Sequence, residues 1–305
     1  MQALIKAVNN GKQVSAFIEV KARFDEEANL RWGEILEKAG VQVHYSFPGL
    51  KVHSKSALIR RKEKRGAKLY AYLSTGNFHE DTAKIYCDFG LFTSDRRITN
   101  EIARVFSYLE TVKRPNNSFK HLLVGQFNLR QKLVNLIDEE IKNKSAGKPA
   151  KILLKMNSLQ DPRMIKKLYE ASQAGVDIEL IIRGICCLVP GVKGWSENIK
   201  VISIVDRFLE HARVFIFHNN GEEKIYLSSA DWMTRNLSYR VETVFPIYNE
   251  SIRKEIVEIM NMQLSDNVKA RIIDKHDQNK YQKGREELPI RSQSELYYYY
   301  KRKLD

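Results

Sequence analysis

The sequence predicts an α/β protein made of two tandem copies of one helix-and-sheet unit, each a mixed sheet flanked by helices and related by a pseudo-twofold. Three observations carry this: an internal repeat, short apolar runs bounded by turn residues, and amphipathic stretches between them. ALIKAVNNGKQVSAFIEVKARF has its counterpart in KLYEASQAGVDIELIIRGICC. Each reads as a helix stopped by a glycine (Gly11, Gly175) and followed by a buried strand ending in basic residues, Lys21 and Arg23 in one copy and Arg183 in the other. A histidine-led strand comes next, KVHSKSALI against EHARVFIF, and then YAYLSTGN against IYLSSADW. That alignment puts Tyr72-Leu73-Ser74-Thr75 in register with Tyr226-Leu227-Ser228-Ser229. An apolar strand (CDFGLFTSD, VETVFPIYN) and a closing helix complete each copy.

The breaker cluster KRPNNS ends the first copy, and the boundaries expected are 1–118 for the first lobe and 119–305 for the second. The helix FNLRQKLVNLIDEEIKNKSAGKP opens the second and is stopped by Gly147 and Pro149. The tail from Lys275 is polar, and its run Tyr297 to Tyr300 suits a terminal helix packed by tyrosines.

A chain of 305 residues is long enough for two cores. No apolar run approaches the roughly 20 residues of a membrane span, and the N-terminus has no signal-peptide core. A cytoplasmic protein is expected, with peripheral attachment to an acidic membrane surface left open. Cys87, Cys186 and Cys187 form no disulfide framework or zinc spacing and read as buried free thiols. The net charge of +14 points to a polyanionic partner: nucleic acid, acidic membrane or a phosphate polymer. Charge alone does not choose among them.

His53 and Lys55, in VHSK, should share one face of a strand with Ala57, while Val52, Ser54 and Ser56 face the other way. Imidazole beside ammonium, near the Gly76-Asn77 turn, suits a phosphate site. A neutral histidine can attack phosphorus and Lys55 can neutralise the equatorial oxygens. A lone HxK would more simply be a strand histidine with a solvated lysine. Here His211-x-Arg213 stands at the equivalent place in the second copy, so two histidines can flank one phosphorus, one as nucleophile and one as acid or electrostatic partner. Arg23 and Arg183 recur at strand ends, where an arginine fork can grip phosphate. The run Arg60, Arg61, Lys62, Lys64, Arg65 reads as a solvated hairpin tip, with polyanion steering as a second role. His44, His79, His121 and His218 read as structural. No Walker loop, GxGxxG or metal-ligand cluster is present, so any Mg²⁺ should arrive mainly on phosphates.

The paired HxK and HxR strands resemble the phospholipase D superfamily, whose members build one site from two repeats. That superfamily normally carries an Asp a few residues beyond the Lys. Here Ile59 and Arg60 follow Leu58, and Phe217 and His218 follow Ile216, which counts against a hydrolytic phosphodiesterase. The closer resemblance is to the polyphosphate kinase 1 family, through KARFDEEAN, GLKVHSK, STGNFHEDTAKIYCDFGLFTSD, RITNEIARVF, LIIRGICCL, ISIVDRFLEHARV and YLSSADWMTRN. It covers nearly the whole chain, to about Arg271.

That resemblance implies two phospholipase D-like lobes and a reversible transfer of phosphate between ATP and polyphosphate. It implies His53 as the residue phosphorylated by ATP and His211 as the second active-site histidine, in contact with nucleotide phosphate. It assigns Tyr86 and Arg183 to ATP binding, Arg23 to the magnesium–triphosphate site through phosphate oxygens, and Mg²⁺ as cofactor. ATP, ADP and polyphosphate are the implied partners, with no nucleic acid and a homo-oligomer at full length. Family members are about twice this long, so this chain is expected to be their C-terminal catalytic portion, starting inside the first lobe. Two rivals remain: a phospholipase D-type phosphodiesterase or nuclease using His53 covalently, and an inactive polyanion-binding fragment.

Overall fold

The computed structural model describes residues 1–20, 26–46, 49–115, 119–282 and 288–304. The first copy runs α1 (Gln2–Asn9), β1 (Ser15–Ile18), α2 (Glu26–Lys38), β2 (Gln42–Tyr45), β3 (Lys51–Val52), β4 (Lys55–Glu63), β5 (Gly66–Ser74), α3 (Glu80–Ala83), β6 (Tyr86–Cys87), β7 (Gly90–Thr93) and α4 (Arg96–Thr111). The second runs β8 (Leu123–Val124), α5 (Leu129–Ser145), β9 (Lys151–Met156), α6 (Pro162–Gln173), β10 (Asp177–Ile182), β11 (Ile199–Ile204), β12 (Leu209–Glu210), β13 (Arg213–Phe217), β14 (Lys224–Ser228), α7 (Thr234–Ser238), β15 (Arg240–Val241), β16 (Thr243–Pro246), α8 (Glu250–Leu264), β17 (Ala270–Ile273) and α9 (Ser292–Leu304). No helix of the described residues is long and apolar enough to cross a membrane.

The second copy holds a mixed eight-stranded sheet in the order β17-β11-β10-β9-β13-β14-β16-β8. Its centre is parallel (β9, β10, β11) and its flank from β13 to β8 antiparallel. Every residue of β13 is buried, because both faces are covered. Phe215 and Phe217 enter one core with α5 and α6 residues, while Val214 and Ile216 enter the other. That second core also takes Leu73 of β5 and Ile98, Ile102 and Val105 of α4, so apolar burial joins the two copies.

The first copy is less continuous than expected. Its described strands form a parallel pair, β1-β2, and a separate antiparallel sheet, β4-β5-β7. In the second copy β9 sits between β10 and β13 and joins the two halves. No described strand of the first copy does this for β1 and β4. The helix-ending glycines are as read: Gly11 and Gly175 have φ of 70° and 87°, the left-handed region that a side chain disfavours. The junction expected near residue 118 falls on 116–118, outside the described residues. The tyrosine run lies on α9, where Tyr299 and Tyr300 donate to Glu258 and Glu255 of α8.

Two short parallel ladders cross between the copies: β3 with β15, and β6 with β12. These crossings build the site.

Candidate active site

Each histidine hangs from the backbone of the other copy. The His53 and Ser54 N–H groups donate to the Val241 carbonyl at 2.9 and 3.1 Å, and those of His211 and Ala212 donate to the Cys87 carbonyl at 3.2 and 2.9 Å. Two N–H groups converging on one carbonyl take the chain out of the regular ladder. His53 and Ser54 therefore lie in a break between β3 and β4, not within one strand as the sequence suggested.

The crossing continues into the side chains. His53 Nδ1 lies 2.9 Å from Glu242 Oε2, and His211 Nδ1 lies 2.9 Å from both Asp88 oxygens. Each carboxylate follows directly on the crossing strand of the opposite copy and is held by a matching hydroxyl. Ser229 Oγ donates to Glu242 at 2.5 Å and Thr75 Oγ1 to Asp88 at 2.6 Å. One residue earlier, Ser74 and Ser228 accept from the Gly76 and Ala230 N–H groups, both at 2.9 Å. A Cβ on Gly76 would collide with the Asp88 carboxylate, so the close approach needs glycine there.

Burial sets the charges. Glu242 is fully buried, and burial alone would raise its carboxyl; His53, Lys55 and the Ser229 bond more than offset this and hold it below the usual range. Burial lowers His53 despite Glu242, and it lowers His211 despite Asp88. Both imidazoles are therefore neutral near pH 7, and each gives its Nδ1 proton to a carboxylate. The buried Lys55 ammonium, donating to the His53 carbonyl at 2.6 Å, is pushed down to about 7, chiefly by desolvation.

The two Nε2 atoms differ. That of His211 accepts from Arg213 at 3.0 Å, whereas among the described residues nothing hydrogen-bonds that of His53. Arg213 also donates to the His211 carbonyl at 2.8 Å and pairs with Asp231 at 3.1 Å. Asp231 further accepts from the Asn157 and Ser158 N–H groups. Asn157 in turn takes Arg183 Nε and NH2 at 3.0 and 2.6 Å, and Arg183 Nε also reaches the Glu210 carbonyl at 3.1 Å. The Tyr86 ring lies 4.9 Å from that of His211.

Against this geometry the comparisons are specific. Residues 1–115 match the family model described as polyphosphate kinase C-terminal domain 1, and residues 122–293 match C-terminal domain 2. The chain belongs to the polyphosphate kinase family. It is 50% identical over 301 residues to the polyphosphate kinase of Vibrio parahaemolyticus, covering 99% of this chain and 43% of that protein. The chain thus spans less than half the length of such curated relatives. The crystal structure of the polyphosphate kinase from Porphyromonas gingivalis superposes with a TM-score of 0.91 at 46% identity, over 99% of this chain and 46% of that one. A phosphatidylserine synthase from Haemophilus influenzae is similar in fold at a TM-score of 0.53 and 11% identity, over 99% and 91% of the two chains.

Of the residues expected in the site of this polyphosphate kinase family member, His53, Lys55, Tyr86, Arg183 and His211 surround one cluster. Arg23 lies outside the described residues. Sequence reasoning missed Asp88 and Glu242, and with them Asn157 and Asp231. It looked for a carboxylate after each HxK or HxR, whereas the fold supplies one from the opposite copy. A signal was available: Asp88 and Glu242 both stand 14 residues after the aligned Ser74 and Ser228, inside apolar strands. Among the described residues no group of His, Cys, Asp and Glu could hold a metal ion. Lysine and arginine have no lone pair to give, and Asp88, Glu242 and Asp231 are committed to hydrogen bonds. The described site does not fit a protein-bound Mg²⁺.

Proposed function

We propose that this chain is the catalytic portion of a polyphosphate kinase, transferring the ATP γ-phosphate reversibly to polyphosphate through a phosphohistidine at His53. The observation that carries this is the free Nε2 of a neutral His53 whose Nδ1 proton is committed to a buried carboxylate. In that tautomer the Nε2 lone pair faces outward and can form a bond to the γ-phosphorus as the bond to the ADP oxygen breaks. A terminal polyphosphate oxygen then attacks the same phosphorus, restoring His53 and lengthening the chain by one phosphate. The reverse sequence makes ATP.

Glu242 stabilises the positive charge that develops on the ring, a role open to a carboxylate at hydrogen-bond distance. Lys55, Arg183 and Arg213 are the cations that neutralise phosphoryl oxygens in this reading, so positioning and charge supply most of the rate. His211 must release Arg213 from Nε2 and take up a proton there before it can act as an acid, and incoming phosphate offers Arg213 a better partner. Mg²⁺ enters this reading as part of the Mg·ATP substrate.

The test is acid-labile, base-stable labelling of the chain by γ-labelled Mg·ATP. Label that disappears in His53→Ala supports the phosphohistidine. An unlabelled chain that hydrolyses a generic phosphodiester would favour the phosphodiesterase reading, since paired histidines with crossed carboxylates also suit that chemistry.

A further inference from the structure

We propose that a basic recess remote from His53 and His211 is a second binding site for phosphate chains. Its identity as a polyphosphate site, though not as an anion site, rests on the proposed function. The recess encloses about 410 Å³ between the first two turns of α4 and residues 120–121. Asp88 and Glu242 precede β7 and β16, and Asp95 and Tyr248 lie beyond the far ends of those strands. Six or seven extended residues separate each pair, so the recess lies ~20 Å from the catalytic carboxylates.

Four cations line it: Arg96, Arg97, Arg104 and Lys120. The acids beside them are already committed. Glu101, 2% exposed, accepts the backbone N–H groups of Lys120, His121 and Leu122 at 2.7, 3.0 and 2.7 Å, and Arg104 at 3.1 Å. Asp95 caps α4 through the Arg97 N–H and grips the Arg97 guanidinium, which stacks 3.7 Å from the centre of the Tyr248 ring. His121 Nδ1 is fixed on the Tyr248 hydroxyl at 2.7 Å. Among the described residues Arg96 and Lys120 make no ion pair.

Four cations against two acids leave an excess of two positive charges in a concave, prearranged setting. The helix terminus is capped by Asp95, so the free donors are side chains. Guanidinium and ammonium groups converging without a counter-ion suit phosphate oxygens. The volume, within the range of built ligand sites, suits several linked phosphates.

The test reads individual arginines: modification of the chain by phenylglyoxal, followed by peptide mass analysis, with long-chain polyphosphate, with orthophosphate at equal phosphate content, or with neither. Polyphosphate should slow modification of Arg96 and Arg104 at least ~5-fold, the scale of one or two charge-assisted contacts. The effect should persist in His53→Ala. Lys120→Gln leaves the backbone bonds to Glu101 in place and should raise the polyphosphate concentration needed for half-protection ~3- to 10-fold without changing histidine labelling. Arg96 and Arg104 unprotected by polyphosphate would overturn the second site, whether or not Arg183 is protected. Equal protection by orthophosphate would overturn its assignment to chains. Neither result bears on the phosphohistidine, which stands or falls on the labelling of His53.

Discussion

Replacing Glu242 by Gln removes a charge while keeping the volume. Three donors converge on this side chain: His53 Nδ1 and Ser229 Oγ on one oxygen, and Asn236 Nδ2 on the other at 2.6 Å. An amide offers one acceptor oxygen only. If that oxygen faces Asn236, its NH2 faces His53 Nδ1, which must then accept. The proton moves to Nε2 and the nucleophilic lone pair is lost. If the oxygen faces His53, the tautomer survives, but the charge-assisted bond, worth about 1.5–3 kcal/mol, becomes a neutral one. The difference between the two, about 1–1.5 kcal/mol in the transition state, corresponds to roughly 5- to 13-fold in rate. Lys55 also loses the attraction that most favours its ammonium, so fewer molecules carry a charge there. The expected outcome is labelling of His53 by γ-labelled Mg·ATP slowed ~10-fold or more. The rate would be followed by acid-labile counts over time in protein whose circular dichroism matches the parent. A folded Glu242→Gln chain labelling within about threefold of the parent would refute the role given to the carboxylate.

Three further outcomes follow from the same geometry. The pH dependence of labelling should be bell-shaped over roughly pH 5 to 9. The acid limb lies below the ordinary histidine value of 6.5, because burial lowers His53 and only its neutral form attacks. The alkaline limb starts near pH 7 as the depressed Lys55 loses its proton, and Lys55→Arg, which stays charged, should remove that limb. In Gly76→Ala the new methyl collides with Asp88 and frees His211 Nδ1, so polyphosphate synthesis should fall ~10-fold or more, and an unchanged rate would dismiss Asp88 as a positioning residue. Glu210→Ala strands the Lys155 ammonium, 2% exposed and 2.5 Å from its only carboxylate among the described residues. Urea unfolding should show a loss of about 3–5 kcal/mol, largely restored in Glu210→Ala/Lys155→Met; a double variant no better than the single would refute the uncompensated charge as the cause.

The periodicity of the chain determined a good deal by itself. Alternation and apolar runs gave away β13 and β14, and glycines at left-handed positions marked the ends of α1 and α6. The recurrence of HxK and HxR singled out His53 and His211 from seven histidines, with Lys55 beside the first. These signals are local, because strand and helix periods are written within a few residues. The tertiary structure alone decided what each histidine meets. Glu242 lies 189 residues from His53 and Asp88 lies 123 from His211, contacts that no local period encodes. They exist because β3 pairs with β15 and β6 with β12, and a shared core holds the copies close enough for those ladders to form. The difference between the two Nε2 atoms has the same origin. Lys55 Nζ bonds the His53 carbonyl alone, whereas Arg213 Nη1 bonds both the His211 carbonyl and its ring while Nε and Nη2 of the same guanidinium are held by Asp231. One substitution between aligned positions thus separates, among the described residues, an unbonded ring nitrogen from a tethered one, and only the folded neighbourhood turns that substitution into a difference between the two histidines.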